Sequence, residues 1–467
     1  MEYNEIMSRF KNVLSIPPKG LPADAMEKYR AMYTEKNRKS LEMFEKAKSV
    51  IPGGVEHNLS QNHPFPVAMD RAKGYRVWDV DGNEYVDYLM CGAPIILGHA
   101  FEPLDEKIID IIKTKGPATG LTSEYEIMAA QEIVNHMPAV EMVRFLQSGT
   151  EADMAALRIA RAYTNKQKII KIGGSYHGWS DQMVYSLHVP NSGPLYSKGI
   201  TKESYAHIID VKPNDFDGLE KAFRDNADDV AGVIVEPIGG ESGAHPVHPD
   251  WNRTMRALCD QYKSLLIFDE VVTGFRLDMG GAQKHFNVMP DITVLGKIIG
   301  HGYPSCGAVA GRKEVMKVCA GGLGEKIYVG GTLAANPITT AACYYAIKYM
   351  VEHDAQQKAA AYADRLTKAM NDLFATRQDL GFFVYNFGPI MHYVTTGFFS
   401  VDVSAPDALK QVLTRKAVAD SYQIVTSALG LCSLAGTRMY TCMQHDDEAL
   451  KKTLDIWEQL LSAIPKG

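Results

Sequence analysis

Short apolar runs alternate with helix-like segments through the middle of the chain, from about residue 103 to residue 338. The apolar runs include MVRFL, KIIKI, VAGVIVEPI and SLLIFDEV, and segments with apolar residues at helical spacing follow them. Repeated alternation of strand and helix is typical of a mostly parallel sheet that helices cover on both faces. The pattern therefore predicts an α/β fold with a large domain over residues 103–338.

The segments on either side have different patterns. Residues 1–50 are charged and helix-like, which predicts an N-terminal helical extension. Residues 51–102 contain YRVWDVDGNEYVDYL, two alternating strands joined at Asp81-Gly82-Asn83, which is a good hairpin signal. Residues 339–467 begin with a long helical stretch and continue as an α+β segment. We expect residues 51–102 and 339–467 to form a smaller domain together.

Composition and charge narrow the class of protein. A chain of 467 residues is too long for one compact core, and its net charge of −6 gives no general attraction to nucleic acid or anionic membranes. No apolar run is long enough to span a bilayer, and the first residues lack the apolar core of a secretion signal. Seven scattered cysteines without a C-x-x-C pair are typical of reduced thiols. We therefore expect a cytoplasmic protein without nucleic-acid or membrane partners.

Several predicted strands end in residues that carry chemistry, and ligands in open α/β sheets bind beyond the carboxyl ends of the strands. MVRFL leads into Gln147-Ser148-Gly149-Thr150 and then a helix, where small residues and exposed N–H groups suit a phosphate. Simple capping of the helix by Ser148 or Thr150 is the alternative. The apolar run in SLLIFDEV ends in the two acids Asp269-Glu270, and Asp269 would either face the ring nitrogen of a cofactor or have a structural partner.

Two further strand ends add an amine and an aromatic ring. ITVLGK ends in Lys297 within a tight apolar turn that suits Schiff-base chemistry, with an ordinary surface lysine as the alternative. Tyr176 and His177 lie in a glycine-rich turn after KIIKI, where an aromatic ring could stack on a flat cofactor or simply pack. The sequence contains no G-x-G-x-x-G, G-x-x-x-x-G-K-[ST], H-E-x-x-H or G-x-S-x-G motif. Catalysis by a bound cofactor fits this pattern, and we expect no metal site.

The motifs SGTEA, YHG, EPI, FDEV-x-TGFR, LGK and GGT-x-x-x-NP follow one another in an order that closely resembles the class III (fold type I) aminotransferases. These enzymes depend on pyridoxal 5′-phosphate (PLP). Within the class, the chain is most similar to the glutamate-1-semialdehyde 2,1-aminomutases. The resemblance implies a large domain with a mostly parallel seven-stranded sheet, a smaller α+β domain and PLP as the cofactor.

The resemblance also implies roles for individual residues. Lys297 would form the Schiff base with PLP, and Asp269 would pair with the pyridine nitrogen. Thr332 would reach the phosphate in the neighbouring subunit, which implies a homodimer with shared active sites. The remaining residues expected to bind the cofactor are Ser148, Gly149 and Thr150 at the phosphate, Tyr176 and Val271 on the two faces of the ring, and His177 and Glu236 beside it.

The sequence departs from the aminomutases where the substrate would bind. The arginine that grips the substrate carboxylate in those enzymes corresponds to Ser60, and an asparagine corresponds to the segment Gly240-Glu241-Ser242. The candidate substrate-binding residues are Glu56, Ser60, Glu241 and Arg276. An arginine suits a carboxylate because it donates two parallel hydrogen bonds, which Ser60 cannot do.

These departures favour an aminotransferase that moves an amino group between a primary amine or non-standard (β or ω) amino acid and a keto acid. The alternatives on the same scaffold are glutamate-1-semialdehyde 2,1-aminomutase, which is an isomerase, and a racemase or epimerase. A binding protein that keeps the fold without catalysis is a further alternative, against which the intact Asp269 and Lys297 argue.

Overall fold

The chain forms two compact units in the computed structural model, one from Met1–Phe101 with Gln357–Gly467 and the other from Glu102–Gln356. The structure describes residues 1–57, 64–304, 306–401, 407–434 and 437–466. Within these ranges no helix is both long and apolar enough to cross a membrane.

The N-terminal segment of the smaller unit contains three helices followed by three strands. The Asp81-Gly82-Asn83 hairpin forms as expected, because the carboxylate of Asp79 accepts hydrogen bonds from the backbone N–H groups of Asp81 and Asn83 at 3.0 and 2.8 Å. Its strands are antiparallel. The elements are α1 (Tyr3–Ser15), α2 (Ala23–Lys36), α3 (Arg38–Ala47), β1 (Met69–Lys73), β2 (Arg76–Asp79) and β3 (Glu84–Asp87).

The larger unit is built on a seven-stranded sheet of order β4-β11-β10-β9-β7-β5-β6. Only β11 runs antiparallel to its neighbours β10 and β4, so the other six strands point in one direction. The strands of this unit are β4 (Met142–Leu146), β5 (Lys168–Ile172), β6 (Ile208–Val211), β7 (Val230–Val235), β8 (His245–Pro246, outside the sheet), β9 (Leu265–Asp269), β10 (Ile292–Gly296) and β11 (Gly307–Gly311). The sheet confirms the predicted α/β class and the mostly parallel arrangement.

Helices cover both faces of this sheet. Successive residues of one strand enter different cores: Ile169 of β5 belongs to one apolar cluster, and Ile170 belongs to the other. Strands β7, β9, β10 and β11 are buried at every residue, as a central sheet in this architecture requires. The helices are α4 (Glu102–Thr114), α5 (Glu124–His136), α6 (Gly149–Thr164), α7 (Asp181–Val184), α8 (Lys202–Tyr205), α9 (Phe216–Asp225), α10 (Gly240–Gly243), α11 (Trp251–Tyr262), α12 (Gly281–Phe286), α13 (Lys313–Met316) and α14 (Pro337–Glu352).

The C-terminal segment completes the smaller unit. Its strand β14 pairs with β3 to extend a four-stranded sheet, and β12, β13 and β15 form a separate three-stranded sheet. The elements are α15 (Ala355–Phe374), β12 (Phe383–Phe387), β13 (Ile390–Val394), α16 (Ala408–Ala428), β14 (Leu431–Cys432), β15 (Arg438–Tyr440) and α17 (Asp447–Ala463).

The larger unit ends near Gln356, about one helix later than the sequence-based boundary at residue 338. The additional helix is α14, which packs against α4 and α5 of the larger unit. Its sequence is apolar on most faces, and periodicity alone does not tell which unit such a helix packs against.

The predicted N-terminal extension is helical and packs within the smaller unit. Phe10 of α1 lies in an apolar cluster with Phe383 and Tyr385 of the three-stranded sheet. The guanidinium of Arg415 donates hydrogen bonds to backbone carbonyl oxygens at the end of α1, including that of Leu14 at 2.7 Å. The extension is thus anchored by both apolar and polar contacts.

Candidate active site

One edge of the seven-stranded sheet collects most of the residues that the sequence singled out. Because β4, β5, β7, β9 and β10 are parallel, their carboxyl ends all lie at this edge. Asp269 is the last residue of β9, and the segments that follow β4, β5, β7 and β10 carry Gly149, Tyr176, Glu236 and Lys297, respectively. The larger unit alone therefore supplies these five candidates.

The helix α6 begins at the end of β4 with Ser148 as its N-cap. The Ser148 hydroxyl oxygen accepts a hydrogen bond from the backbone N–H of Glu151 at 3.2 Å, and the Glu151 carboxylate accepts one from the backbone N–H of Gln147 at 2.9 Å. Ser148 is therefore a helix cap, which was one of the two interpretations of this segment. Capping and anion binding are compatible, because the N–H groups of the first helical turn have no acceptors within the helix.

Close packing brings the start of α6 against the segments after β9 and β10. A Cβ atom added to Gly149 would lie 2.9 Å from a methyl group of Val271, and one added to Gly296 would lie 3.3 Å from the other methyl group. A Cβ at Gly178 would overlap the side chain of Thr150. The glycines thus let the backbone approach Val271 and Thr150 at positions where any larger residue would collide.

Asp269 and His177 form a buried hydrogen-bonded pair at this edge. Oδ2 of Asp269 lies 2.7 Å from Nδ1 of His177, and Oδ1 accepts a hydrogen bond from the backbone N–H of Val271 at 3.0 Å. Both side chains are buried. Burial lowers the pKa of His177, although the hydrogen bond and the charge of Asp269 oppose this shift. Burial therefore favours the neutral form of the His177 imidazole.

Asp153 is a further buried acid in this region, and the sequence analysis missed it. One of its carboxyl oxygens, one oxygen of Asp269 and one ring nitrogen of His177 all lie within 4.8 Å of one another, a grouping that could also hold a metal ion. The only signal in the sequence was an acid on the buried side of α6, in line with Leu157 and Ala160. Such a position normally carries an apolar residue.

Glu236 organises two loops at the edge. Its carboxylate accepts hydrogen bonds from the backbone N–H groups of Tyr176, Glu241 and Ser242, at 2.9, 2.9 and 2.7 Å. Burial, followed by the charges of Asp269 and Glu241, raises the pKa of Glu236 to about 8. These contacts connect the segment after β5 to the turn of α10, so Glu236 fixes their relative positions.

A chain of two side-chain contacts at the same edge connects Tyr176 to His188 and His188 to Glu241. The Tyr176 ring is 42% exposed and stacks on the His188 ring, with centroids 6.3 Å apart and an interplanar angle of 15°. Nδ1 of His188 is hydrogen bonded to the buried Glu241 carboxylate. Glu241 also adopts a left-handed backbone conformation, with φ of 56°. His188 was not predicted, because it lies 53 residues from Glu241 along the chain.

The remaining predicted residues lie in varied environments. Lys297 is partly buried directly after β10, with a left-handed φ of 46°. Arg276 is fully buried, and Thr332 is exposed. Glu56 is an exposed residue of the smaller unit. Ser60 lies outside the described residues.

The side chains at this edge fit a flat, phosphorylated, nitrogen-containing ring such as PLP. The start of α6 offers N–H groups to an anion, and the glycines allow the close packing that brings Val271 and Thr150 next to the neighbouring backbone. Asp269 offers a buried carboxylate to a protonated nitrogen, Val271 and Tyr176 offer surfaces for a ring, and Lys297 offers an amine.

Comparisons with known proteins agree with this geometry. The family described as aminotransferase class-III matches residues 58–381. The chain is 41% identical over 344 residues to glutamate-1-semialdehyde 2,1-aminomutase of Desulforamulus reducens, covering 71% of this chain and 77% of that protein. It is 36% identical over 434 residues to the enzyme of the same name from Methanocaldococcus jannaschii, covering 91% and 98%.

A solved structure shows a similar fold. An omega-transaminase from Sphaerobacter thermophilus superimposes with a TM-score of 0.81 at 28% identity, covering 91% of this chain and 97% of that one. Fold, family and cofactor therefore agree with the expectations from the sequence motifs. The chain belongs to the class III aminotransferase family of PLP-dependent enzymes.

Proposed function

We propose that the edge formed by β4, β5, β7, β9 and β10 is a PLP site at which this enzyme moves an amino group on a small-molecule substrate. The observation that carries the proposal is the buried Asp269–His177 pair, at 2.7 Å, with Lys297 at the end of the adjacent strand β10. A buried carboxylate and an amine at neighbouring strand ends are the groups that PLP chemistry requires.

Each residue would have a distinct task. Bound PLP supplies an electron sink that stabilises negative charge on the substrate carbon when a proton is removed. Ser148, Gly149 and Thr150 at the start of α6 would hold the phosphate, and Asp269 would keep a proton on the ring nitrogen. Lys297 would attach the cofactor and, once released, would take a proton from the substrate carbon and return it.

Two surfaces would hold the ring in place. Val271 would press on one face, and its position is fixed by contact with the backbone at Gly149. Tyr176 would stack on the other face, and its backbone is fixed by the hydrogen bond to Glu236. We propose that Glu236 acts mainly by positioning Tyr176.

We further propose that the active unit is a homodimer with shared sites. Thr332 belongs to an exposed stretch of the larger unit that also contains Leu323 and Tyr328, which are 104% and 83% exposed. Apolar side chains that are exposed together in one patch mark an interaction site, and these two lie close to one another along the chain. A second copy of the chain would cover them and bring Thr332 to the partner's phosphate.

The first candidate reaction is the 2,1-aminomutase reaction on glutamate 1-semialdehyde. Its support is the extended similarity to enzymes of that name, which reaches 36% identity over 91% of this chain. This order reverses the expectation from the sequence alone, which placed transamination first. Similarity along nearly the whole length outweighs differences at single substrate positions in ranking the two reactions.

The second candidate is amino transfer between a primary amine or β- or ω-amino acid and a keto acid. A specific observation favours it: a buried carboxylate, Glu241, lies beside His188 and the Tyr176 ring. A negative charge at this position would repel a substrate carboxylate. The omega-transaminase at 28% identity also has this overall fold.

The two reactions can be separated with one purified protein. The aminomutase candidate requires glutamate 1-semialdehyde to be converted into the isomer with the amino group on carbon 1 and a ketone on carbon 2, without any keto acid. The aminotransferase candidate requires amines or β-amino acids to give more than one equivalent of carbonyl product per site only when pyruvate or 2-oxoglutarate is added. The ratio of kcat/KM for the two substrate classes decides between them, and absence of both activities would contradict the proposed function.

A further inference from the structure

Asp153 is buried among polar side chains of the candidate site, whereas a core residue would be buried among apolar ones. Its side chain is 1% exposed, and it lies in the same 4.8 Å cluster as the Asp269–His177 pair. Within the described part of the chain, Oδ1 of Asp153 and Nε2 of His177 are both buried without a hydrogen-bond partner. Buried polar atoms of this kind are rare in folded proteins and call for an explanation.

Two carboxylates in such a cluster cannot both keep a negative charge at low energetic cost. Oδ1 of Asp269 accepts a hydrogen bond from the N–H of Val271 at 3.0 Å, and Oδ2 lies 2.7 Å from Nδ1 of His177, so the surroundings of Asp269 can stabilise a negative charge. The unpartnered Oδ1 of Asp153 has no such donor. Of the two carboxyl groups, that of Asp153 is therefore the one that carries a proton.

We propose that Asp153 is a positioning residue, a neutral carboxylic acid whose O–H donates to Nε2 of His177, directly or through one water. A hydrogen bond of this kind fixes the imidazole tautomer that carries its hydrogen on Nδ1. The inference rests on the proposed PLP site, because it concerns the charge that Asp269 presents to the ring nitrogen. It adds a residue that the sequence motifs did not single out.

The tautomer matters because only one hydrogen can lie between Nδ1 of His177 and Oδ2 of Asp269, which are 2.7 Å apart. With the hydrogen on Nδ1, Asp269 stays ionised and can hold a proton on the ring nitrogen of PLP. With the hydrogen on Nε2, the hydrogen between the two residues has to come from Asp269, which is then neutral. Donation from Asp153 to Nε2 excludes the second arrangement.

The charges around Asp153 support its neutral form. Burial is the largest cause that raises the pKa of Asp153, and the charges of Asp269 and Glu236 raise it further. The ammonium groups of Lys297 and Lys171 oppose the shift but do not reverse it. Asp269 ends β9, Glu236 follows β7, Lys297 lies in the turn after β10, and Lys171 belongs to β5.

The test uses the holoenzyme with PLP labelled with ¹⁵N at the ring nitrogen, whose chemical shift reports whether that nitrogen carries a proton. Asp153→Asn keeps a neutral side chain with a hydrogen-bond donor, and Asp153→Ala removes the donor. We expect the wild type and Asp153→Asn to keep the nitrogen protonated from pH 6 to pH 9. We expect Asp153→Ala to lose that proton within the same range, with kcat reduced about 10- to 100-fold, the effect typical of losing an outer hydrogen-bond partner.

The outcomes separate this inference from the proposed function. Asp217→Asn, at an exposed position of α9, is the control for loss of one carboxylate. If Asp153→Ala keeps the wild-type nitrogen shift, or Asp153→Asn behaves like Asp153→Ala, the inference is overturned while the PLP site stands. A stoichiometric metal ion in the wild type that Asp153→Asn removes would also overturn it. A wild-type protein that binds no PLP would instead refute the proposed function itself.

Discussion

Lys297 occupies an unusual backbone conformation at the end of β10. Its φ of 46° lies in the left-handed region, which residues with a Cβ atom rarely adopt. Strain of this kind persists where the surrounding structure fixes the residue, and it is frequent at active sites. The fully buried Ile298 and Ile299 that follow Lys297 provide such an anchor. The side chain is therefore presented at the sheet edge by a rigid turn.

The first prediction concerns Lys297→Ala. Both residues carry a Cβ atom, so the substitution leaves the backbone strain unchanged, and the variant should have the melting temperature of the cofactor-free wild type. We expect loss of the covalently attached cofactor and a fall in kcat of about 10³-fold or more, because the amine that attaches PLP and moves the proton is gone. Reduction with borohydride followed by peptide mapping should place the cofactor on Lys297 in the wild type.

An exposed lysine of the same unit, Lys313, supplies the control, and Lys313→Ala should retain both cofactor and activity. A label that maps to any other lysine would show that the site has been placed incorrectly.

The sequence predicted the site residues that lie at strand ends, but it did not predict the side chains that surround them. Asp269 and Lys297 each follow an apolar run directly, so the sequence places them at the edge of a sheet. Asp153 and His188 come close to the site only through the packing of α6 and through a loop. No spacing rule connects His188 to Glu241, because the contact depends on how two loops after different strands are folded.

At the scale of elements, Glu236 connects the loop after β5 with the turn of α10. Its pKa of about 8 lies above the ordinary value of 4.5, so the folded protein binds this proton more tightly than the unfolded chain does. The stabilising contribution is therefore complete below pH 4.5 and is lost as the pH rises through 8. The protonation of Glu236 should therefore change the free energy of unfolding of the protein as well as its activity.

The second prediction compares the wild type with Glu236→Gln. Glutamine resembles the protonated acid, so the free energy of unfolding of the wild type relative to the variant should decline as the pH rises from 5 to 8. We expect a decline of more than about 1 kcal/mol, since one pKa unit corresponds to about 1.4 kcal/mol. Denaturant unfolding at several pH values measures it, and the exposed Glu220→Gln serves as the control. A wild-type advantage that grows with pH would show that Glu236 is ionised when folded.

The third prediction concerns the pair of His188 and Glu241, which joins two loops beside Tyr176. We expect His188→Gln and Glu241→Gln each to raise KM for the best amino donor about tenfold, because either change releases the stack on Tyr176. The double variant should be no worse than either single variant, which corresponds to a coupling energy of about 1.4 kcal/mol, the equivalent of one tenfold change. His207→Gln, at an exposed position, is the control. Additive effects of the two substitutions would contradict a joint role.

Elements were predicted well where local chemistry determines them. The Asp81-Gly82-Asn83 turn forms because Asp79 caps its N–H groups, and this signal is contained in a few neighbouring residues. The membership of α14 was harder to predict, because a helix with many apolar residues can pack against either unit. Its contacts with α4 and α5 decide the question, and these contacts are distant in sequence.

At the scale of the whole molecule, the fold class followed from alternation of strand and helix, and the structure confirms it. The antiparallel strand β11 was not foreseen, because GAVAG is short and apolar like the parallel strands beside it. The packing of α1 on the three-stranded sheet was not foreseen either, since contacts such as Phe10 with Phe383 span most of the chain. Long-range pairing is the information that composition and periodicity do not contain.

The exposed stretch around Thr332 belongs to the same scale, because its proposed function depends on a second copy of the chain. Leu323 and Tyr328 in this stretch expose apolar surface that a single copy leaves in water. If a second copy covers it, charges placed there should prevent association, because an unpaired carboxylate is costly to bury. The same charges should weaken cofactor binding, since the partner's Thr332 would no longer reach the phosphate.

The last prediction is therefore that the wild type is a dimer with full PLP occupancy. The double variant Leu323→Asp with Tyr328→Asp should be a monomer that releases PLP on dilution. Light scattering combined with absorbance of the bound cofactor measures both quantities in one run. Leu121→Asp is the matched control, because Leu121 is also exposed in the larger unit but lies outside this stretch. A monomeric wild type with full occupancy would refute the shared site. A double variant that stays dimeric would place the interface elsewhere on the larger unit or on the smaller one.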